Sequence, residues 1–469
     1  MKMWGGRFRQ EADPEFQRWQ SSFAFDRRLL SYELAASGAH ARALKNSGIL
    51  SPDELIAILQ GLDRIAAKSA ASSTFLKDED DQAEDVHHFV QKQLASLIGD
   101  TAYKLHSGRS RNEQIATDLR LYVRATIDRL QADMAGWIEI LLECAEQAEN
   151  AVMPAYTHLQ RAEPVLVAHY LLAYVEMFLR DSGRLADCQK RLNFCPLGSG
   201  AVAGATIELD RRAMAADLGF SGPTANSIDA TSDRDFVLEF VNALSLVALH
   251  LSRWAEEMIL FSSEEFGFVQ LPESYSTGSS AMPQKKNPDL LELTRGKAAR
   301  VIGAASTLMI VTKGLPLAYN KDLQETQEPL FDAATTISSL LPLVSAWMKA
   351  AEFNYGHMRE AAEAGFMNAW AAATYLVQRG VPSALAHEQI GRAVQLCLAK
   401  GCGLKGLSLE ELRSLNAVFD TDFYACLQLE SVLAIHDVAG GTAPSRVHQA
   451  ILHAKQSVEA IREEIHAPA

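Results

Sequence analysis

The chain has 469 residues, room for about three domains at roughly 150 residues each. An apolar content of 48% is too high for disorder and sufficient for a large core. The formal net charge of -14 argues against a nucleic-acid partner, because phosphate binding needs a basic surface.

The first residues, "MKMWGGRFRQEADPEF", contain no apolar h-region, and no uninterrupted run of 18 apolar residues occurs. Neither a secretory signal nor a membrane span is expected. Cysteines at 144, 188, 195, 397, 402 and 426 form no C-x-x-C pair. They read as small buried hydrophobes of a reducing compartment, so a cytoplasmic protein is expected.

Residues 1–108 read as a mixed, mostly helical domain. Its one charge run, Lys77 to Asp85, reads as a solvated loop. From Asn112 to Asn150 there is no proline and one glycine, Gly136. Apolar residues at Leu119, Val123, Ile127, Leu130, Met134, Trp137 and Leu141 are three or four apart, the helical period. A helix of about 40 residues spans roughly 60 Å. A second helix is expected to open at Pro164, a favoured first-turn residue, and to run to about Leu192. A third reads from about Asp229 to Phe266. Its stretch "VLEFVNALSLVALHL" is apolar nearly all round, which predicts burial on every side. A fourth opens at Asn287-Pro288 and reaches about Lys313. A fifth runs from near Pro329 to near Phe353.

Five long helices in series predict an all-α antiparallel bundle over residues 109–360. Residues 361–469 read as a small domain of shorter helices, broken at "RGVPS", "KGCGLKG" and "GGTAPS". Strand signals are nearly absent, and no repeat of 20 to 50 residues occurs.

Three polar segments join these helices. "KLHSGRSRNEQIATD" leads into the first. Ser110 and Glu113 have capping-box spacing, which explains those two residues but not Arg109, Arg111 and Asn112 at the same end. A helix N-terminus with added cations suits a carboxylate. "YTHLQRAEP" offers Thr157, His158, Gln160 and Arg161 in a turn. A lone loop histidine is more often a surface residue, but this one has a cluster of hydrogen-bonding neighbours that suits proton transfer. "STGSSAMPQKKNPD" brings Ser279 and Ser280 beside Lys285, Lys286 and Asn287. A flexible linker needs neither Met-Pro nor lysines, whereas a serine near an ammonium and a helix N-terminus loses its proton more readily. "GCGLKG" follows a helical stretch rather than a strand, so its match to a dinucleotide fingerprint is chance. Glu84/His87 and Glu463/His466 have E-x-x-H spacing, but the second pair lies in the tail, and no metal site is expected.

The segments "HSGRSRNEQIATDLRL", "YTHLQRAEPVLVAHY", "NSIDATSDRDF", "GSSAMPQKKNP" and "YNKDLQE" resemble the fumarase/aspartase superfamily. Within it, "MWGGRF", "GRSRN", "YTHLQRA" and "GGTAPSRV" are similar to the argininosuccinate lyase family, which includes the δ-crystallins. The resemblance covers the whole chain. It implies an all-helical homotetramer with sites shared between subunits, and reversible cleavage of argininosuccinate to arginine and fumarate. It also implies no metal or organic cofactor. By residue matching, Ser279 is the base, Lys285 and Asn287 hold the carboxylate, and His158 handles the other proton, oriented by Glu292. Which of Ser279 and His158 is acid and which is base stays open. Substrate contacts carry over to Ser22, Ser110, Arg111, Asn112, Thr157, Tyr319 and Gln324, with His87 and Arg234 nearby.

Gln327 stands where the family usually has a substrate-binding lysine. Glu33 and Glu113 each stand where aspartate is usual, and "AWAAAT" (Ala369 to Thr374) replaces a more polar stretch. A sister lyase acting on another N-substituted aspartate and a non-catalytic structural homologue are the competing readings. Chain order alone puts Asn112, Tyr319 and Gln324 at one end of the bundle and His158 and Ser279 at the other. A complete site is therefore expected only between subunits packed antiparallel.

Overall fold

The computed structural model describes residue 10 and residues 12–72, 74–76 and 83–466. The "MWGGRF" segment and residues 77–82 of the acidic run lie outside the described residues.

The N-terminal part is built on helices α1 (Leu30–Asn46), α2 (Pro52–Ala71) and α3 (Val86–Ile98). Helix α2 starts in a complete capping box, Ser51 with Glu54, and carries proline in its first turn. The long helix α4 (Arg111–Gln147) starts the same way, with Ser110 and Glu113 exchanging bonds. A hairpin of β1 (Val152–Thr157) and β2 (Gln160–Leu166) then leads into α5 (Val167–Leu192). Helix α6 (Asp235–Ser262) is followed by a small ribbon, β3 (Thr277–Gly278) with β4 (Lys286–Asn287). Helices α7 (Asp289–Thr312) and α8 (Gln327–Ala350) complete the bundle.

Three tryptophans tie the bundle together. Trp137 of α4 and Trp254 of α6 meet edge to face at 5.1 Å, and Trp254 meets Trp347 of α8 at 5.3 Å. All three are fully buried, and such aromatic pairs add to the stabilisation from burial itself. The core of α1, α2 and α3 is continuous with that of the bundle. A separate small core lies under α9 (Ala369–Gln378) and α10 (Ser383–Lys400), centred on Phe419 and Phe423. The last helix, α11 (Pro444–His466), returns along α4, where Arg462 bonds Glu139 at 2.7 and 2.6 Å.

Several expectations are corrected. The helix expected to open at Pro164 begins at Val167, because Pro164 is a strand residue paired with Pro154. A two-stranded ribbon has only edges, where proline is tolerated. Strands, nearly absent from the sequence reading, occur among the described residues as four two-stranded pieces. The third long helix does not extend over Asp229 to Phe266. A separate turn, Ser227–Ser232, precedes it, and the chain breaks at Asp233-Arg234.

Nor is that helix buried on every side. Within one chain it buries a broad face and leaves Leu249 39% exposed. Neighbouring α7 exposes Leu293, Ile302, Met309 and Ile310. Two segments, Asp235–Ser262 and Lys321–Ala350, are long and apolar enough to cross a membrane, but both pack within the bundle.

Candidate functional site

Four segments converge on a cavity of about 190 Å³ at one end of the bundle. Ser22 and Asp26 come from the segment before α1, Asp85 and His87 from the start of α3, and Arg111 and Asn112 from the first turn of α4. Tyr319, Lys321, Gln324 and Gln327 come from the approach to α8. The structure thus brings together Ser22, His87, Arg111, Asn112, Tyr319, Gln324 and Gln327, seven of the positions to which the resemblance carries substrate contacts. Ser110 caps α4. Arg234 is buried and donates to the Asp233 carbonyl at 2.7 Å, while its Nε and one Nη find no partner among the described residues. Burial lowers its pKa to about 10 against the opposing pull of Tyr319 and Asp233.

Acidic groups complete the lining. Arg111 donates to Glu84 at 3.1 Å and to Asp85 at 2.9 Å, and Lys321 stands 3.8 Å from Glu84. The end of the acidic run is therefore no solvated loop: Asp85 caps α3, and both carboxylates face the cavity. Asp26 accepts from Ser22 Oγ at 2.6 Å and from the Val86 amide at 3.0 Å. Burial pushes its pKa up to about 7, against the lowering effect of the Ser22 bond. Sequence reasoning missed Asp26, although its spacing of four from Ser22 on a helical turn was a usable signal. Gln327 is buried, with its Oε1 unpartnered among the described residues. Ala318, just before Tyr319, holds φ +68, a strained left-handed conformation for a residue with a Cβ.

Behind His87 lies a buried cluster. His87 Nδ1 is 2.9 Å from Glu33 Oε2 and 3.6 Å from Asp118. Glu33 also accepts from Ser37 at 2.7 Å and from Gln114 at 3.0 and 3.1 Å, with Arg109 3.9 Å away. Burial alone would raise the pKa of Glu33, but His87 and Arg109 hold it well below the usual carboxylate range. Asp118 has neither oxygen bonded among the described residues. Burial first, then the charge on Glu33, drives its pKa far up, so it is the neutral member. Donor atoms of Glu33, His87 and Asp118 lie within 4.8 Å of one another, a spacing a metal could use. Here, however, Nδ1 is committed to Glu33, whose oxygens are already filled by donors.

The other candidates sit at the opposite end. Thr157 and Gln160 pair across the hairpin tip, and the two residues between them, His158 and Leu159, have φ +55 and +56. Two successive positive φ values make a type I′ turn, normally a site for Asn-Gly. The turn expected from sequence is thus a strained hairpin that holds the histidine at its point. In the β3–β4 loop, Ser279 Oγ accepts the amides of Ala281 and Met282 at 3.2 and 3.1 Å. Such bonds favour a negative oxygen. Lys286 pairs with Glu273 at 2.7 Å, whereas Lys285 has no ion pair among the described residues. Asn287 reaches Thr277 at 3.4 Å. Glu292 is half exposed and 3.9 Å from Arg295. Among the described residues no bond joins it to His158, so the expected orientation of His158 by Glu292 is not made within one subunit.

Comparison with known proteins identifies the family. A family model described as lyase matches residues 6–303, and one described as argininosuccinate lyase C-terminal matches residues 366–434. The chain is 58% identical to argininosuccinate lyase of Acidobacterium capsulatum over 97% of this chain and 94% of that one. It is 57% identical to the enzyme of Koribacter versatilis over the full length of both. In fold it is similar to EDDS lyase in complex with formate, with a TM-score of 0.84 and 26% identity over 97% of this chain and 92% of that one. A helical-bundle chain that matches both family models, and argininosuccinate lyases at this identity from end to end, belongs to the argininosuccinate lyase family of carbon–nitrogen lyases.

Proposed function

We propose that the protein catalyses the reversible elimination of argininosuccinate to arginine and fumarate, a step of arginine biosynthesis, in the cytoplasm. Ser279 takes the proton from the carbon next to a substrate carboxylate. The electron pair left there forms an aci-carboxylate dianion, held by Lys285 and Asn287. The carbon–nitrogen bond then breaks, fumarate forms, and His158, oriented by Glu292, returns a proton to the departing guanidino nitrogen. Ser22, Ser110, Arg111, Asn112, Thr157, Arg234, Tyr319, Gln324 and Gln327 bind the substrate, with His87.

The observation that carries this reading is the convergence of seven of those residues on one cavity. The two amide bonds to Ser279 Oγ support its role over that of Ser280. The active species is a homotetramer whose sites combine the cavity of one chain with His158 and Ser279 of others. Exposed Leu293, Ile302, Met309 and Ile310 on α7, beside Leu249 of α6 and Leu343 of α8, support an assembly that buries this face.

The test is to add argininosuccinate to the purified protein and follow fumarate absorbance. Absence of fumarate from argininosuccinate, with release from another N-substituted aspartate in an amine panel, would favour the sister-lyase reading.

A further inference from the structure

We infer that Glu33 is a positioning residue that keeps His87 an imidazolium, so that the cavity presents a fixed, hydrogen-bonding cation to an anionic substrate. The inference rests on reading that cavity as the substrate site.

Glu33 is buried and accepts from His87, Ser37 and twice from Gln114, with the Arg109 guanidinium behind them and the neutral Asp118 carboxyl within 4.8 Å. A carboxylate so placed is an acceptor, so Nδ1 of His87 must carry a proton. The other ring nitrogen, Nε2, is buried and has no partner among the described residues, while His87 itself lines the cavity. In a neutral ring that Nε2 would be an unpaired acceptor in a site built for an acid. In the imidazolium it is a free donor with a positive charge, the complement of a carboxylate.

The surrounding charges favour the same state. Burial opposes a charge on His87, but the charge and hydrogen bond of Glu33, then the charge of Asp85, overcome it and lift its pKa to about 9. Asp26 and Glu84 add negative charge on the cavity side. Arg109 opposes it from behind, where burial and Arg109 lower the pKa of His106 to about 4 and keep that ring neutral; Arg111 and Lys321 oppose it from across the cavity, and Tyr319 is neutral at working pH. A carboxylate substrate would replace Glu84 and Asp85 on Arg111 and meet His87 on the same side.

The test uses the full-length enzyme with its histidine rings labelled with carbon-13. The His87 resonance is identified by its loss in His87→Gln. It should stay that of an imidazolium beyond pH 8, with a midpoint near 9. In Glu33→Gln, an isosteric change, the midpoint should fall well below 9, because the largest charge and the hydrogen bond that outweigh burial are gone and the weaker pull of Asp85 is left to oppose it. Glu33→Asp, which restores the charge, should return it upward. The KM for argininosuccinate should be flat from about pH 6.5 to 8 in the wild type. In Glu33→Gln it should rise roughly 10- to 100-fold at pH 8, recover on acidification, and change more than kcat does. A neutral His87 at pH 7 in the wild type, or an unmoved midpoint in Glu33→Gln, would overturn the inference. So would one tightly held divalent ion per chain that is lost on Asp118→Asn. Failure to cleave argininosuccinate would instead sink the proposed function, while the ring titration would still judge the state of His87.

Discussion

Mixing two inactive variants should restore activity, because no chain brings Asn112 and Ser279 together. Asn112 lies in the first turn of α4, whose 37 residues carry the chain about 55 Å to the end that holds His158. Ser279 precedes α7, whose 24 residues separate it by about 36 Å from Tyr319 and Gln324. Ser279→Ala subunits keep an intact Asn112, and Asn112→Ala subunits keep an intact Ser279. If a site takes these residues from different chains, equal random mixing gives it both with a probability of about one half times one half. About a quarter of wild-type turnover should therefore return in mixed assemblies. The assay is fumarate release after the two variants are unfolded and refolded together, with tagged subunits to prove exchange. Each variant refolded alone is the control and should remain inactive. If proven mixed assemblies gave no activity, or a sedimenting monomer were fully active, the shared-site geometry would be wrong.

Other substitutions probe single groups. Ser279→Ala should lower kcat by roughly 10²–10⁴, the range for one proton-transfer group, and Ser280→Ala by far less; equal rates in wild type and Ser279→Ala would refute the role given to that hydroxyl. Asp26 has a folded pKa near 7, above its unfolded value of about 3.8, so the folded state binds the extra proton between these values and wild-type stability should fall as pH rises through that window. Asp26→Asn removes this dependence, so its urea midpoint should gain on the wild type between pH 5 and 7 by an amount equivalent to roughly 2–3 kcal/mol. A constant gap would mean that Asp26 ionises normally. Trp254→Ala removes the middle ring of the three-tryptophan column and should cost about 3–5 kcal/mol, read as a lower denaturation midpoint.

The sequence by itself was enough for the all-α bundle, since a period of three to four residues over Leu119 to Leu141 admits no other regular structure. It also marked the segments that carry chemistry, because Arg111 and Asn112 crowd at a helix start, where backbone donors are unpaired, and His158 and Ser279 stand in polar connections between long helices. It misjudged the junctions. Pro164 suits a helix start by local preference, but pairing with Val152–Thr157 holds it in a strand, and that pairing is a contact between separate segments. The strained φ values of His158 and Leu159 were illegible for the same reason, since only the closed hairpin imposes them. The acidic run read as solvent-facing because charge patterning is local, whereas Glu84 and Asp85 meet Arg111 only after α3 packs beside α4. The ionisation of His87, Glu33 and Asp118 was invisible for a deeper reason. Burial and the approach of charges across 54 and 31 positions of sequence, from Glu33 to His87 and from His87 to Asp118, exist only in the folded chain, and they alone decide where the protons sit.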